Sequence, residues 1–326
     1  MISQIKKNRI DLFSLKTEKE MKYVEKKFEI FLNRKIFKNR KSKKKYLYQI
    51  KSCVCGNKLG HKFSSFFLKP FLYRKCKFCG TISINPMLNN EGLKLIYSDR
   101  GIYNIYRKNF FEKKNKKTLR SKTINKRKID QVVSLFKKKK FSLLDFGCGD
   151  GNFLFNLKDR GISDLVGVDS KYDNLEKINN IYFYNNLENV KKKFDCITLW
   201  GVLEHLNDPN NLIDKIKLFL KKGGYLVMEF PSADSLLMNY IKTNNFNALR
   251  FIEKGRHLFF FSKRFIEIFC KKKKFKISYL ETNGLDLQTI LGSKDKSQIK
   301  NILDIQEILD SNMMSDHFRV FLKKIN

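Results

Sequence analysis

This sequence has no long apolar run, and it has too few acidic residues to balance its basic residues. No apolar stretch reaches the length of a membrane span, so we expect no membrane-spanning helix. The 32 acidic residues are outnumbered by 68 lysines and arginines, which leaves a formal net charge of +36. Residues 1–21 show neither the n-region nor the h-region of a secretory signal, and no internal repeat is visible. These absences favour a cytoplasmic protein.

The positive charge has two explanations. An excess of this size usually indicates a nucleic-acid or anionic-surface partner. Here it is mostly lysine, spread along the whole chain in tracts such as Lys137–Lys140 and Lys271–Lys274, alongside many Asn, Ile and Phe residues. An A+T-rich coding bias produces that pattern without a polyanionic partner. We therefore expect no specific nucleic-acid partner.

One glycine-rich segment indicates a nucleotide-type cofactor pocket. Residues 141–144 predict a buried parallel strand, the run Asp145 to Gly151 follows it, and residues 152–159 predict a helix. Asp169 closes the next apolar run, where a carboxylate at the carboxyl edge of the neighbouring strand can accept both ribose hydroxyls. A dinucleotide fingerprint begun at Gly147 needs a glycine at position 152, which is Asn152. The spacing therefore disfavours NAD.

The run D-x-G-x-G-x-G from Asp145 resembles motif I of class I S-adenosylmethionine-dependent methyltransferases. Three further segments stand in the family's order: V-L-E-H-x-x-D-P at residues 202–209, K-G-G at 222–224 where the family has L-K-P-G-G, and H-x-x-F-F-S at 257–262. The resemblance implies S-adenosylmethionine as the cofactor. Its implied binding residues are Asp145, Gly147, Cys148, Gly149, Gly151, Asp169, Asn186, Leu187 and Trp200, with Asp145 at the amino acid end and Asn186 and Leu187 beside adenine.

The alternation of predicted strands and helices indicates an α/β fold with a Rossmann-like, doubly wound and mostly parallel sheet. The family resemblance implies seven strands. Strand five is predicted to begin at Tyr225, after a helix that Lys222, Gly223 and Gly224 terminate. Ser262 is predicted to cap a helix that runs through Cys270.

Two cysteine pairs upstream predict a tetrahedral zinc site. Cys53 and Cys55 form the first pair, and Cys76 and Cys79 form the second after twenty intervening residues. Because the first pair is C-x-C, with Ser52 where a cysteine is usual, the fourth ligand is either Cys53 in a tight variant or His61. Disulfides compete with this interpretation, but the total of seven cysteines is odd and no secretory signal is visible.

A four-cysteine element ahead of a methyltransferase core resembles a group of bacterial sugar and surface-polysaccharide methyltransferases. This resemblance implies transfer of a methyl group to a hydroxyl or carbon of a nucleotide-linked sugar or surface glycan. The carbon-directed members carry Glu-His before the F-F-S segment, whereas this chain has Arg256-His257. An RNA methyltransferase, a small-molecule O-methyltransferase and, least favoured, a non-enzymatic zinc-ribbon binding protein remain as alternatives. The acceptor and the oligomeric state stay open.

A methyl transfer to a hydroxyl needs a base to take the proton. His257 is the first candidate because the segment before F-F-S borders the acceptor side, and Glu204 and His205 follow it. For His257 we expect activity to rise with pH through about 6.5, the ordinary histidine pKa. For His257 the alternative is a structural histidine with satisfied hydrogen bonds. For Glu204 and His205 the alternative, which we favour, is a turn that braces strand four through hydrogen bonds.

We divide the chain into four parts. Residues 1–45 are a Lys-rich helical extension, 46–90 the zinc-binding module, 91–140 a helical connector and 141–326 the methyltransferase domain. Tyrosines 97, 103 and 106 of the connector are expected either to face the substrate or to pack.

Overall fold

The computed structural model describes residues 15–58, 64–98, 101–110, 113, 118–119, 121–137, 140–172, 175–244, 246, 248–292 and 299–325. His61, the alternative zinc ligand, lies outside these residues, as does the start of the Lys-rich extension. Among the described residues, every helix is too short or too polar to cross a bilayer.

The elements below are numbered in chain order. The helices are α1 (Glu18–Phe31), α2 (Arg40–Tyr46), α3 (Asn90–Tyr97), α4 (Tyr103–Phe110), α5 (Lys126–Val133), α6 (Asn152–Lys158), α7 (Pro209–Phe219), α8 (Leu236–Asn244), α9 (Leu249–Ile252), α10 (Lys263–Lys273), α11 (Asp286–Leu291) and α12 (Ile299–Ser311). The strands are β1 (Leu47–Tyr48), β2 (Ser64–Leu68), β3 (Phe71–Lys75), β4 (Ile82–Asn85), β5 (Met87–Leu88), β6 (Leu143–Phe146), β7 (Leu165–Val168), β8 (Leu175–Ile178), β9 (Ile181–Tyr184), β10 (Phe194–Trp200), β11 (Leu220–Pro231), β12 (Phe259–Phe260), β13 (Phe275–Asn283) and β14 (His317–Lys324).

The central sheet has the order β13-β14-β11-β10-β6-β7-β9-β8. Strands β6, β7, β9, β10 and β11 pair in parallel, while β14 runs antiparallel between β11 and β13. Side chains of neighbouring residues alternate between the two faces: Cys196 and Val227 enter one apolar core, Ile197 and Leu226 the other. This confirms the predicted α/β fold with a Rossmann-like sheet, but the sheet is mixed, since β11–β14, β13–β14 and β8–β9 pair antiparallel.

The predicted number of seven strands is wrong, because the described residues already form eight strands in this sheet. The additional strand is β8, which pairs with β9 through a two-residue turn. Both turn residues, Asn179 and Asn180, have positive φ angles of 50° and 57°, as a type I′ hairpin turn requires. Asparagine tolerates this left-handed conformation better than most residues. The Asn-Asn pair was the sequence signal for this hairpin.

Strand β11 begins at Leu220, five residues before the predicted start. Helix α7 ends at Phe219 because Leu220 already has extended backbone angles, φ −90° and ψ 129°. Gly223, with φ 70°, lies inside the strand and allows the change of register between the pairs Phe194–Leu220 and Cys196–Tyr225. Gly223 and Gly224 therefore lie within a strand and do not terminate a helix. Ser262, in contrast, caps α10 as predicted: its hydroxyl accepts the Phe265 N–H.

A second sheet, with the order β12-β4-β3-β2, combines two distant parts of the chain. Strands β2, β3 and β4 form an antiparallel meander within residues 64–85. Strand β12, from residues 259–260, pairs with β4, and the Ile84 N–H donates to the Leu258 carbonyl at 3.0 Å. The cysteine-bearing module is thereby hydrogen-bonded to the segment that contains His257.

Helix α1 docks the N-terminal extension on the rest of the protein. Thr17 and Glu20 form a capping box at its first turn, and Val24 and Phe28 are buried on one face. This face packs against α4 and α9. The predicted Lys-rich extension is therefore mostly helical in its described part, and the face that carries Val24 and Phe28 is covered.

Candidate active site

The glycine loop after β6 turns the chain sharply at the carboxyl edge of the sheet. Gly147, Gly149 and Gly151 have φ angles of 74°, 53° and 72°, which L side chains rarely adopt. A Cβ at Gly147 would lie 2.5 Å from Val202, so packing also requires glycine there. At Gly149 a Cβ would meet no atom within 4 Å. The backbone at Gly149 therefore borders open space, as a cofactor cradle needs.

Asp169 lies directly after β7 and faces this loop. Its Oδ2 accepts the Gly149 N–H at 2.9 Å, and its Oδ1 accepts the Lys171 N–H at 3.1 Å. Each carboxylate oxygen has two lone pairs, so both keep acceptor capacity. The structure thus brings Asp169 to the glycine loop, where the sequence places it.

Asp145 is held inside the sheet. Only 2% of the residue is exposed, and its Oδ1 accepts a hydrogen bond from the Thr198 hydroxyl at 2.6 Å. Burial raises the pKa of Asp145 to about 7, although Thr198 opposes this rise. Thr198 is a partner that the sequence analysis missed; the parallel pairing of β6 and β10 sets the two residues side by side.

The remaining predicted cofactor residues surround the same edge. Asn186 caps a 3₁₀ turn at Leu187–Asn189 and is exposed, Leu187 is buried, and Cys148 is 8% exposed. Trp200 ends β10 and stacks edge-on against Phe153, with ring centroids 5.4 Å apart. Its indole N–H is buried without a hydrogen-bond partner among the described residues. A bound polar group would satisfy this donor.

The three residues predicted as base candidates form one buried cluster. A carboxylate oxygen of Glu204 and one imidazole nitrogen each of His205 and His257 lie within 4.8 Å of one another. Burial raises the pKa of Glu204 to about 8, and its Oε2 has no hydrogen-bond partner among the described residues. His205 Nδ1 lies 3.0 Å from the Tyr97 hydroxyl and 2.9 Å from the Arg256 carbonyl. Burial also lowers the pKa of His205.

The surroundings of His257 fix its tautomer. Its Nδ1 lies 2.7 Å from the Phe251 carbonyl oxygen, which can only accept a hydrogen bond. In the neutral ring Nδ1 therefore carries the proton and Nε2 is unprotonated. Nε2 lies 3.4 Å from Glu253 Oε2. Burial lowers the pKa of His257 to about 4, and Glu253 opposes this effect. The expected activity rise through pH 6.5 is therefore corrected to a lower pH.

Glu253 and Arg256 complete this cluster. One Arg256 nitrogen lies 3.0 Å from Glu253 Oε2, and its guanidinium lies 3.8 Å from the Tyr106 ring centroid and 4.8 Å from that of Tyr103. Glu253 has a φ of 39°, a left-handed conformation that is unusual for glutamate. Strain of this kind is concentrated at functional sites. Glu253 follows the last residue of α9 and turns the chain towards His257.

The four predicted metal-binding cysteines also lie together. Cys53 Sγ is 3.5 Å from Cys79 Sγ, and Cys55 Sγ is 3.9 Å from Cys76 Sγ. Sulfurs bound tetrahedrally to one zinc ion stand about 3.8 Å apart, from a Zn–S distance of about 2.3 Å. The Thr81 N–H points at Cys79 Sγ at 3.5 Å. A hydrogen bond from Cys53 lowers the pKa of the Cys79 thiol to about 5.

Comparison with known proteins identifies the family. The family described as "Methyltransferase domain" matches residues 110–279, more than half of the chain. This chain belongs to that methyltransferase family. It carries a class I, S-adenosylmethionine-dependent methyltransferase domain.

The curated relatives match smaller parts of this methyltransferase. A tRNA U34 carboxymethyltransferase from Pseudoalteromonas translucida is 32% identical over 100 residues, which cover 27% of this chain and 31% of the relative. A ubiquinone biosynthesis O-methyltransferase from Glaesserella parasuis is 29% identical over 147 residues, or 40% and 61% of the two chains. The methyltransferase thus spans less than two thirds of either relative. Among solved structures, the plantazolicin methyltransferase BpumL in complex with a triazolic desmethylPZN analog and SAH aligns with a TM-score of 0.45 at 18% identity, over 72% and 95% of the chains.

Besides Thr198, two residues of the candidate site gave no sequence signal. Glu253 belongs to no motif, and its approach to His257 depends on the turn after α9. Lys16 reaches the site from a segment more than 200 residues away in the chain. By contrast, the glycine loop, the Glu204–His205 turn and His257 were each found through local motifs, and the structure brings them to one edge of the sheet.

Proposed function

We propose that this methyltransferase transfers the methyl group of S-adenosylmethionine to a hydroxyl or carbon of a sugar, either nucleotide-linked or within a surface glycan. The observation that carries the proposal is a buried acid–base cluster at the edge of the sheet where the glycine loop and Asp169 lie. The cofactor, when bound, supplies a methyl group that is already activated by its sulfonium. The protein must then orient an acceptor and, for a hydroxyl, take its proton.

The cofactor-binding role falls to the residues around the glycine loop. In the proposal, the backbone at Gly147, Cys148, Gly149 and Gly151 receives the cofactor, and Asp169 binds its ribose hydroxyls. Asp145 acts on the amino acid end, through water or through the Thr198 hydroxyl. Asn186, Leu187 and Trp200 border the adenine and the sulfonium side. The open space at Gly149 and the unpartnered indole N–H of Trp200 support this assignment.

Asp169→Ala is expected to weaken binding of both the cofactor and its demethylated product. Loss of hydrogen bonds to a carboxylate costs roughly 1.5–3 kcal/mol, which corresponds to about 10- to 150-fold in Kd. Isothermal titration calorimetry measures this change. Asp169→Asn keeps an acceptor for the Gly149 N–H but removes the charge, and so separates ribose binding from loop geometry. Asp164→Ala, at the opposite end of β7, is the control. Unchanged affinity in Asp169→Ala would remove this residue from the site.

The acceptor side is assigned to the cluster of Glu204, His205 and His257. His257 is the proposed base, because its free Nε2 can accept a proton from an acceptor hydroxyl and Glu253 can stabilise the resulting charge. Glu204 and His205 are the alternative bases. In this assignment residues 141–326 carry the catalysis. The connector contributes Tyr97, whose hydroxyl lies 3.0 Å from His205 Nδ1, and strand β4 of the cysteine-bearing module supports the segment that holds His257.

We also propose zinc at Cys53, Cys55, Cys76 and Cys79. Sulfur separations of 3.5 and 3.9 Å suit a tetrahedral ion, and the N–H of Thr81 stabilises thiolate charge at Cys79. Cys53, as the partner of Cys79, fills the position for which His61 is the alternative. Bound there, zinc would have a structural role, because four protein thiolates leave no position for a substrate.

A sugar acceptor is favoured by the sequence resemblance to bacterial sugar and surface-polysaccharide methyltransferases, which share the four-cysteine element ahead of the core. RNA is the second candidate, because several relatives are named tRNA U34 carboxymethyltransferase and the chain carries a net charge of +36. Incubation with labelled cofactor and a panel of nucleotide sugars, tRNA and phenolic small molecules, followed by mass analysis, tests the proposal. Label in tRNA or a phenol alone would contradict the sugar assignment.

RNA binding is expected to be weak and to vanish near physiological salt. Lysines spread over a surface make nonspecific phosphate contacts, and each contact releases counterions, so affinity falls steeply as salt rises. Fluorescence anisotropy with a labelled tRNA measures the Kd at salt concentrations from about 50 to 200 mM. Phosphate contacts lose much of their affinity over this range. A matched DNA hairpin is the control. Tight, salt-resistant binding to tRNA but not to the hairpin would favour the RNA alternative.

A further inference from the structure

Lys16 is the one lysine of the N-terminal helical segment that enters the catalytic cluster in the described part of the chain. Its side chain is 13% exposed, whereas Lys19 and Lys22 on the same segment are exposed to solvent. A buried ammonium group is costly unless charged or polar partners surround it. The Lys-rich composition of this segment does not account for a lysine buried in this way.

A continuous line of contacts joins Lys16 to His257. Lys16 Nζ donates to the Tyr106 hydroxyl at 2.6 Å, and that hydroxyl donates to Glu253 Oε1, also at 2.6 Å. Lys16 Nζ itself lies 3.8 Å from Glu253 Oε1. The other oxygen, Glu253 Oε2, lies 3.4 Å from His257 Nε2 and 3.0 Å from Arg256. The two oxygens of the Glu253 carboxylate therefore have different neighbours: Oε1 faces Tyr106 and Lys16, and Oε2 faces His257 and Arg256.

The cavity between α1 and this cluster has a volume of about 40 Å³. Lys16, Phe28, Tyr106, Glu253 and Arg256 are among its lining residues. Lys16 also lies 4.9 Å from the Tyr106 ring centroid and 5.0 Å from that of Phe110. Such cation–π contacts fix the position of the ammonium group as well as its charge. Lys16 is thus held against α4 by three separate contacts.

We propose that Lys16 is a positioning residue of the methyltransferase, which completes the acceptor-activating cluster by fixing Tyr106 and the Glu253 carboxylate against His257. The proposal rests on the proposed role of His257 as the base. The N-terminal helical segment, which lies ahead of the family's matched region, then belongs to the catalytic machinery.

The chemical reason lies in the charge that forms during the reaction. When the acceptor oxygen bonds to the methyl carbon and the carbon–sulfur bond breaks, the hydroxyl proton moves to His257 Nε2. The imidazolium then lies next to Glu253, which stabilises it. Lys16 and Tyr106 hold the far oxygen, so Glu253 stays ionised and correctly oriented. Burial alone would raise the pKa of Glu253, but Arg256, His257 and Lys16 lower it below its ordinary value.

Removal of Lys16 is expected to change the titration of His257. Without Lys16, the Glu253 carboxylate is held less firmly against the ring and stabilises the imidazolium less, so the His257 pKa should fall further below its ordinary value than in the parent protein. The chain has only four histidines, so NMR of the imidazole nitrogens in Lys16→Met can follow His257, assigned by its absence in a His257 variant. The groups that face His257 and remain in the variant are Glu253, Arg256, Glu204, His205 and His317.

Three further variants make this test specific. Lys16→Arg should restore the parent titration, and Tyr106→Phe, which removes the bridging hydroxyl, should shift it in the same direction as Lys16→Met. Lys19→Met, exposed on the same segment, should have no effect. Once an acceptor is known, turnover of Lys16→Met should fall about tenfold or more with unchanged cofactor Kd, as for loss of a hydrogen bond to a charged group.

The outcomes separate this proposal from the proposed function. An unmoved His257 titration in both Lys16→Met and Tyr106→Phe, with cofactor binding intact, would overturn the role of Lys16 whatever the activity. A shifted titration together with full methyl transfer in His257→Gln would support the contact between Lys16 and Glu253 but overturn the assignment of His257 as the base.

Discussion

Replacement of His257 by alanine is expected to lower methyl-transfer turnover by roughly 10²–10⁴ while cofactor affinity stays near the parent value. A general base acts in the transition state and contributes little to ground-state binding of the cofactor. Steady-state turnover with the acceptor identified by labelling, together with calorimetry of the cofactor, measures both quantities. His257→Gln preserves a donor for the Phe251 carbonyl but cannot act as a base, so it separates proton transfer from structural support.

The pH profile distinguishes the candidate bases. Only the neutral imidazole accepts a proton, so activity supported by His257 should rise with pH through about 4 and be level near neutrality. Glu204, whose pKa burial raises to about 8, would instead give a rise through about 8, because only its carboxylate can accept. A rise near 8 that disappears in Glu204→Gln, with full activity in His257→Gln, would transfer the role of base to Glu204.

If the four cysteines bind zinc as proposed, Cys76→Ser is expected to abolish zinc binding and to destabilise the module around the site. Loss of one thiolate from a four-thiolate site removes most of the binding free energy, and loss of a structural metal is among the few single changes that cost about 4 kcal/mol or more. Elemental analysis of protein purified without chelators should give about one zinc per parent chain and none in the variant. Amide hydrogen exchange should rise in the described parts of residues 46–90.

The control for Cys76→Ser is Lys77→Ser, which changes an exposed residue between the same two cysteines and keeps all four thiols. It should retain the metal and the parent exchange rates. Parent protein that contains no metal would contradict the zinc assignment and leave four packed thiols. Substitution of a cysteine should also disturb helix α10, because the Ser262 hydroxyl at its first turn donates to the Cys79 carbonyl. Lys272 of the same helix donates to the Cys55 carbonyl at 2.6 Å.

The sequence predicted those parts of the site that depend on local chain geometry. The glycine loop and Asp169 belong to consecutive strands of a parallel sheet, so their spacing along the chain determines their proximity in space. The four cysteines likewise lie on two tight turns that each require a glycine, Gly56 and Gly80, with φ angles of 95° and 83°. Residue type and spacing along the chain are enough to predict short-range features of this kind.

The rest of the site depends on packing between distant segments. Lys16, Tyr106, Glu253 and His257 come from three regions of the chain, and no periodicity relates them. Strand β12 is only two residues long, so its residues Phe259 and Phe260 predict neither a strand nor a partner. Arg256 looked like a departure from a Glu-His pair. The structure instead places the carboxylate of Glu253, four residues before His257, at 3.4 Å from the histidine.

The shared β12–β4 edge also imposes an order on biosynthesis. Strands β2, β3 and β4 leave the ribosome about 170 residues before Phe259 and Phe260, so during that interval the outer edge of β4 has no partner. Unpaired strand edges are templates for association with other chains. The nascent meander therefore exposes this edge of β4 until residues 259–260 have been synthesised. A truncation before residue 259 would make that temporary exposure permanent.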